Sequence, residues 1–515
     1  MFDPVDRQSS IRLLTLMILA ASGCAGLAGA AETTNSRLVE SARRQDQNGV
    51  RALLSQNADV NARSSDGSTA LLWSVHWNDF ETAGLLLGAG ADANAANDFH
   101  VTPLSEACTN RNPALVRQLL KSGANPNTAI ATGETPLMTC AKSGAADAVR
   151  MLIEYGAAVN AQEPAANQTA LMWAAAERHP DVVEALIEAH ADLKAHTRQG
   201  FTALHFAARV GDLESVKLLL AAGVDVNLLT QTEGGLNRIT NQLGIAKTVG
   251  TIGYTPLLVA VVRSQVAVAL FLLDHGADPN IDAAGYTPLH WASSKWESFT
   301  ANPVYGFEDA MSGIPDRQAK LRLIKALLAH GANVNARMTK PQPTFAGGYL
   351  DSVGATPFVL AASANDLEMM RILLGAGADP KILTATNASA IMAAAGLNHS
   401  IGEDTVTEAQ ALETVKFLLD LGVEPRGETT FGENALFGPA YRGWNNLLAQ
   451  LIDLGVNVNA VSKAGVTPWL AASGSGDRLG GVLYNKEGAD LLVKHGADPK
   501  LGHPCEAQNK CRAEQ

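Results

Sequence analysis

A short phrase returns along this chain every 33 residues: GADAN, GANPN, GAAVN, GVDVN, GADPN, GANVN. Its fifth position falls at Asn61, Asn94, Asn127, Asn160, Lys194, Asn227, Asn280, Asn335, Lys381, Arg426, Asn459 and Lys500. The spacing holds at 33 or 34 as far as Asn227, then lengthens to between 41 and 55 except for one step of 33 between Arg426 and Asn459. A fixed period of this length means that each copy is one supersecondary unit, too small to bury its own apolar face, so the copies must stack in a row. This excludes most globular folds.

A second phrase, GYTPLHWA at Gly285–Ala292, alternates with the first. Its opening slot holds Thr69, Thr102, Thr135, Thr169, Thr202, Thr255, Thr287, Thr356, Ser389, Asn434 and Thr467, all able to accept from the free amides that begin a helix. Pro or Ala follows, suited to a first turn that needs no donor. The third slot is always apolar. A second run with helical spacing, such as VKLLL at 216–220, precedes the terminating Gly of the first phrase, a residue at ease in the left-handed C′ conformation. Asn57 and His190 stand where the other ten units have that Gly.

These two interleaved phrases make residues 36–500 closely resemble the ankyrin repeat family, with twelve units of which the first lacks its opening phrase. The resemblance implies an all-α repeat solenoid of helix-turn-helix units with short β-hairpin fingers, in which the fingers and first helices line a concave surface. His290 invites a catalytic reading, but the equivalent slot is Leu72, Ser105, Met138, Met172, His205, Leu258, Val359, Met392, Phe437 and Leu470 elsewhere, so packing is the better account.

Composition narrows the partners. The chain has 39 basic and 51 acidic residues, a net charge of −12, which does not suit a grip on phosphate backbones. No cofactor motif is present. Near the N-terminus, Arg7 and Arg12 precede an apolar run from Leu13 to Ala21, which resembles an export signal and is too short to span a membrane. Two processing sites compete. Ala21-Ser22-Gly23-Cys24 resembles a lipobox, with lipidation at Cys24, and Ala28-Gly29-Ala30 resembles an ordinary cleavage site, so residues 1–31 read as a signal. Either places the mature protein in the periplasm or cell envelope. Cys505 and Cys511 in the tail at 501–515 could close a small disulfide, whereas Cys108 and Cys140, in small-residue slots of neighbouring units, read as buried free thiols.

The informative departures are insertions near 228–253, 293–320, 336–354, 396–411 and 474–487. The first, rich in Thr, Asn and Gly, reads as a polar loop or hairpin on a finger. The family's variable positions carry over to Phe201, Tyr254 and Tyr286 before the caps, and to His76, Trp77, Arg209, Arg263, Lys295, Tyr441 and Arg442 near the ends of first helices. Phe99 and Phe431 fall on finger tips, and Trp296 lies in an insertion. Aromatic and Arg side chains favour interface hot spots, so these residues are the candidate surface for a partner protein. The chain therefore reads as a non-enzymatic scaffold. Two alternatives stand beside it: an envelope enzyme or glycan binder using Trp296, Tyr305, Tyr349, Glu403 and Asp404, and an accessory subunit of an exported redox enzyme.

Overall fold

The computed structural model describes residues 34–230, 253–294, 316–340, 352–397, 406–474 and 484–502, with the backbone of two strands at 238–240 and 246–248. The expected signal, Cys24, Cys505, Cys511 and most of the inserted residues lie outside the described residues, including Lys295, Trp296, Tyr305, Tyr349, Glu403 and Asp404.

Among the described residues twenty-four helices follow one another in twelve pairs, and the chain divides into two compact units. Unit 1, residues 1–197 with 217–222, holds α1 (Thr34–Arg43), α2 (Gln47–Ser55), α3 (Ala70–His76), α4 (Phe80–Gly88), α5 (Pro103–Thr109), α6 (Pro113–Lys121), α7 (Pro136–Ser143), α8 (Ala146–Glu154), α9 (Ala170–Ala176) and α10 (Pro180–Glu188). Unit 2, residues 198–216 with 223–515, begins with α11 (Ala203–Val210); α12 (Leu213–Ala221) is shared between the units. It continues with α13 (Pro256–Val262), α14 (Val266–Asp274), α15 (Pro288–Ser293), α16 (Arg317–Ala329), α17 (Pro357–Ser363), α18 (Leu367–Gly375), α19 (Ala390–Ala394), α20 (Glu408–Asp420), α21 (Phe437–Arg442), α22 (Asn445–Asp453), α23 (Pro468–Ala472) and α24 (Lys486–Lys494).

The helices start and stop for the reasons legible in the sequence. Thr69, Thr102, Thr135, Thr169, Thr255, Thr287, Thr356, Ser389 and Thr467 each accept a hydrogen bond from the amide three residues on. Losing such a cap costs about 1 kcal/mol. All ten terminating glycines have positive φ, and so do Asn57 and His190. Asn434 differs. Its Oδ1 accepts from Leu436 N at 3.0 Å and its Nδ2 donates to Asn457 O at 2.8 Å, and α21 begins only at Phe437. Pro439 explains the delay, because Pro is tolerated in a first turn but breaks a helix interior.

Within each unit first helices pack on first helices and second on second: α1, α3, α5, α7 and α9 in sequence, and likewise α11, α13, α15, α17 and α19. Leu71, Leu104, Leu137 and Leu171, from the third slot, are fully buried between them, each worth roughly 2 kcal/mol. The ruler asparagines bind the stack at its edge. Asn94 Oδ1 accepts from Asn125 N at 2.7 Å while its Nδ2 donates to Gly123 O at 2.9 Å, so one side chain satisfies both an amide and a helix-terminal carbonyl of the next repeat. Asn127, Asn280, Asn335 and Asn459 repeat the pattern. Lys194, Lys381 and Arg426 have no acceptor with which to do so.

The described fingers close as turns rather than strands, most roots held by one backbone bond such as Ser64 N to Ser68 O at 2.9 Å and Ile130 N to Glu134 O at 3.0 Å. The described hairpin belongs to the first insertion, where β1 (Arg238–Thr240) pairs antiparallel with β2 (Ala246–Thr248), Ile239 opposite Lys247. Both inserted fingers keep the ordinary root. Thr230 N donates to Tyr254 O at 2.9 Å and Met338 N to Ala355 O at 3.0 Å.

Candidate binding face

Helical periodicity puts the fourth, seventh and eighth residues of each first helix segment on one side. In unit 1 this gathers Trp73, His76 and Trp77; Glu106 and Asn110; Thr139, Lys142 and Ser143; and Trp173 and Glu177. The indole of Trp73 stacks on Trp77 at 6.5 Å and meets the edge of His76 at 5.5 Å. His76 Nδ1 lies 2.7 Å from Glu106 Oε1 in the next repeat, and Lys142 Nζ sits 4.4 Å above the Trp173 ring. Trp77 remains 43% exposed. Trp73 is buried at 8% exposure and backs Trp77, so the face offers Trp77 and the half-buried Trp173 with charges set beside them.

Side chains from adjacent repeats hold this face in place by satisfying carbonyls that the ends of short helices leave free. Trp77 Nε1 donates to Arg43 O at 2.9 Å, and Asn110 Nδ2 donates to Val75 O at 2.8 Å and His76 O at 3.2 Å. Ser143 Oγ donates to Cys108 O at 2.8 Å and Cys140 O at 3.1 Å, Arg111 Nε donates to Ser143 O, and His179 Nε2 donates to Lys142 O at 3.2 Å. Arg111 and Arg178 end their first helices with positive φ, where Gly144 stands in the repeat between them.

Cys108 and Cys140 are not the free thiols their slots suggested. They form a disulfide joining α5 to α7, with Cα atoms 4.5 Å apart and both residues fully buried. Two small-residue slots on neighbouring first helices face each other across the stack, which brings the sulfurs together although 32 residues separate them.

Several expected contact residues are inaccessible. Phe201, Tyr254 and Tyr286 are 5%, 6% and 2% exposed, because the slot before the cap packs against rings of its own or the next repeat. Tyr254 Oη and Tyr286 Oη share a hydrogen bond of 2.6 Å, Tyr286 stacks on Trp291 at 5.9 Å, and Phe201 lies against His205 and Phe206. Burial raises the pKa of both tyrosines. Arg209, Arg263, Tyr441 and Arg442 are half-buried in unit 2, with Arg442 over the Trp444 ring at 4.8 Å. Phe99 and Phe431 are exposed at finger tips, the latter with Lys463 Nζ 5.6 Å from its ring centre. Of the expected residues, unit 1 brings together His76 and Trp77, with Phe99 on a neighbouring finger. Glu106, Lys142 and Trp173 were missed, as was the supporting role of the buried Trp73. For Trp73, Glu106 and Trp173 the signal was the fourth residue of the first helix, which changes freely between repeats while its neighbours stay small or apolar; Lys142 holds the seventh, the position of His76.

His205 and His290 are structural. Each Nδ1 faces its cap, 2.9 Å from Thr202 Oγ1 and 2.8 Å from Thr287 Oγ1, while Nε2 donates to Tyr254 O at 3.1 Å and Ala336 O at 2.9 Å. These acceptors lie at the roots of the two inserted fingers, so the two histidines among eleven slots occur in the two repeats that precede a lengthened finger.

A row of helix pairs that offers a built surface defines a repeat protein of the interaction type. Sequence models of ankyrin repeats match 37–130, 85–163 and 161–230 as three-copy sets and 252–283, 284–339 and 353–385 as single repeats, together more than half of the chain, and the chain belongs to the ankyrin repeat family. The matches stop at 385, while the paired helices continue through α24. A 126-residue stretch, 24% of the chain, is 36% identical to 47% of protein PhlB of Serratia liquefaciens. Another, 34% of the chain, is 27% identical to 38% of the mouse B-cell lymphoma 3 protein homolog, and a third, 26% of the chain, is 30% identical to 22% of the bovine mitochondrial disaggregase. Each alignment spans under half of the relative's own length. Ankyrin repeats imply a protein–protein interaction scaffold and are generally non-enzymatic. Among the described residues no helix is long and apolar enough to cross a membrane.

Proposed function

We propose that the protein is a scaffold working outside the cytosol, and that the first-helix face of unit 1 binds a partner protein. The observation that carries this reading is the placement of Trp73, His76 and Trp77 beside Glu106, and of Lys142 over Trp173, on helices tied together by side chain to carbonyl bonds. A surface ordered before the partner arrives loses little side-chain entropy on association. Indoles with charges between them give both hot-spot area and register. The location outside the cytosol is supported by the Cys108–Cys140 disulfide, a bond that persists in oxidising compartments, together with the export-like segment at 1–31.

Affinity capture from a cell-envelope extract tests the face. A Trp77→Ala/Lys142→Glu variant that matches the parent in circular dichroism is expected to lose at least ten-fold of the recovered partner. Equal recovery by the two proteins would move the binding site elsewhere.

A further inference from the structure

We infer that the Cys108–Cys140 bond licenses the unit 1 face: the bond forms while the chain folds in an oxidising compartment, and the face reaches its working geometry only with the bond in place. This rests on the reading of the unit 1 face given above and adds its regulation.

Three observations converge. The disulfide joins the two middle first helices of unit 1 in the core beneath the face, two residues along the chain from both Glu106 on α5 and Lys142 on α7. Elsewhere in unit 1 neighbouring first helices are joined across their ends by single hydrogen-bonding side chains such as Trp77, Asn110 and His179; among the described residues this is the covalent join. The surroundings are also built tightly on the bonded geometry. Ser143 Oγ bridges the carbonyls of both cysteines, and Arg111 binds the carbonyl of Ser143. A Cβ on Gly144, the next residue, would lie 2.6 Å from His179 and 2.9 Å from Arg111. Unbonded thiols cannot approach as closely as bonded sulfurs, so reduction must shift α5 against α7 or turn a side chain, and Glu106 and Lys142 move with their helices.

Burial decides when the bond is made. Both cysteines are fully buried, so neither an oxidant nor a thiol reductant reaches them in the closed stack. Bond formation therefore precedes closure of the third and fourth repeats. One cysteine thiolate attacks a disulfide-bearing oxidant to give a mixed disulfide and release one thiol, and the second cysteine then attacks the Sγ of the first, expelling the oxidant's remaining thiolate. One S–S bond is consumed and one made, with two electrons and two protons passing to the departing pair of thiols. Once closed, the bond is a lasting commitment. A chain still in a reducing compartment carries a loosened face and does not engage the partner there.

Hydrogen exchange on the full-length chain tests this, comparing the oxidised protein, protein refolded with a phosphine reductant, and a Cys108→Ala/Cys140→Ala variant, with thiols located by peptide mapping. Amides of 103–112 and 136–145 are expected to exchange at least ten-fold faster without the bond, with smaller increases at 70–79 and 170–179. Unchanged exchange, or free alkylatable Cys108 and Cys140 in protein isolated from the oxidising compartment, overturns the inference. So does partner recovery that survives Cys108→Ala/Cys140→Ala while Trp77→Ala/Lys142→Glu abolishes it. If exchange responds to reduction but Trp77→Ala/Lys142→Glu recovers every partner, the face assignment fails and the structural lock stands.

Discussion

His290 donates through Nε2 to the carbonyl of Ala336, 2.9 Å away and 46 residues further along, at the root of the second lengthened finger. The ring must be neutral, since its Nδ1 accepts from Thr287 N at 3.1 Å on the other side, which a protonated ring cannot do. His205 is placed alike, and burial lowers both pKa values to about 4 while facing carbonyls partly oppose the shift.

Acid should therefore destabilise the protein in a defined window. In the unfolded chain these histidines take up protons near pH 6.5, but in the fold only near pH 4. Stability is full above pH 6.5 and falls as pH drops towards 4, by about 1.4 kcal/mol per pH unit for each histidine. Urea unfolding between pH 7 and 4.5 checks this. A His205→Leu/His290→Leu variant, using a residue the same slot holds in other repeats, is expected to show a shallower acid slope than the parent; identical slopes would exclude these rings as the cause.

Removing the disulfide frees a loop of roughly 30 residues in the unfolded chain, and closure entropy puts the loss at about 3.7 kcal/mol. Denaturation of the Cys108→Ala/Cys140→Ala variant, followed by fluorescence of Trp73, Trp77 and Trp173, measures it. A shift confined to probes in unit 2 would contradict the placement.

The asparagine ladder predicts a matched pair of effects. Asn94→Ala forfeits two bonds to the next repeat and should cost about 1 to 2 kcal/mol. Lys381→Asn installs the missing side chain beside Gly422, where Lys381 Nζ would meet an added Cβ at 3.4 Å, and should stabilise by up to about 1 kcal/mol. Chemical denaturation of both variants checks the signs; a destabilising Lys381→Asn would show that the ammonium is the better partner for that helix end.

Local grammar was legible in the sequence because it is made by neighbours in the chain. Thr caps, Pro openings and left-handed residues as unusual as Asn57 and His190 all act within a few residues of themselves. What the pattern hid depends on residues a repeat or more apart. The Tyr254–Tyr286 pair looks like two exposed variable positions until stacking of the repeats packs one ring against the other. The Cys108–Cys140 contact needs the rotation of one helix against another, which spacing alone does not supply. The late start of α21 follows from Pro439, which outweighs a good cap at Asn434. Arg111 and Arg178 adopt positive φ where a flanking repeat has Gly144, a strain of about 1 kcal/mol or more that the repeat register imposes.

Site-specific photo-crosslinking is the most direct measurement of the central claim. A benzophenone amino acid placed at Trp77 or at Phe99 in the full-length chain, irradiated in an envelope extract, is expected to trap the same partner protein. The same probe at Tyr155, exposed at the end of α8 among the second helices, should trap none of it. Capture of that partner from Tyr155 but not from Trp77 would contradict the claim that the first-helix face of unit 1 does the binding.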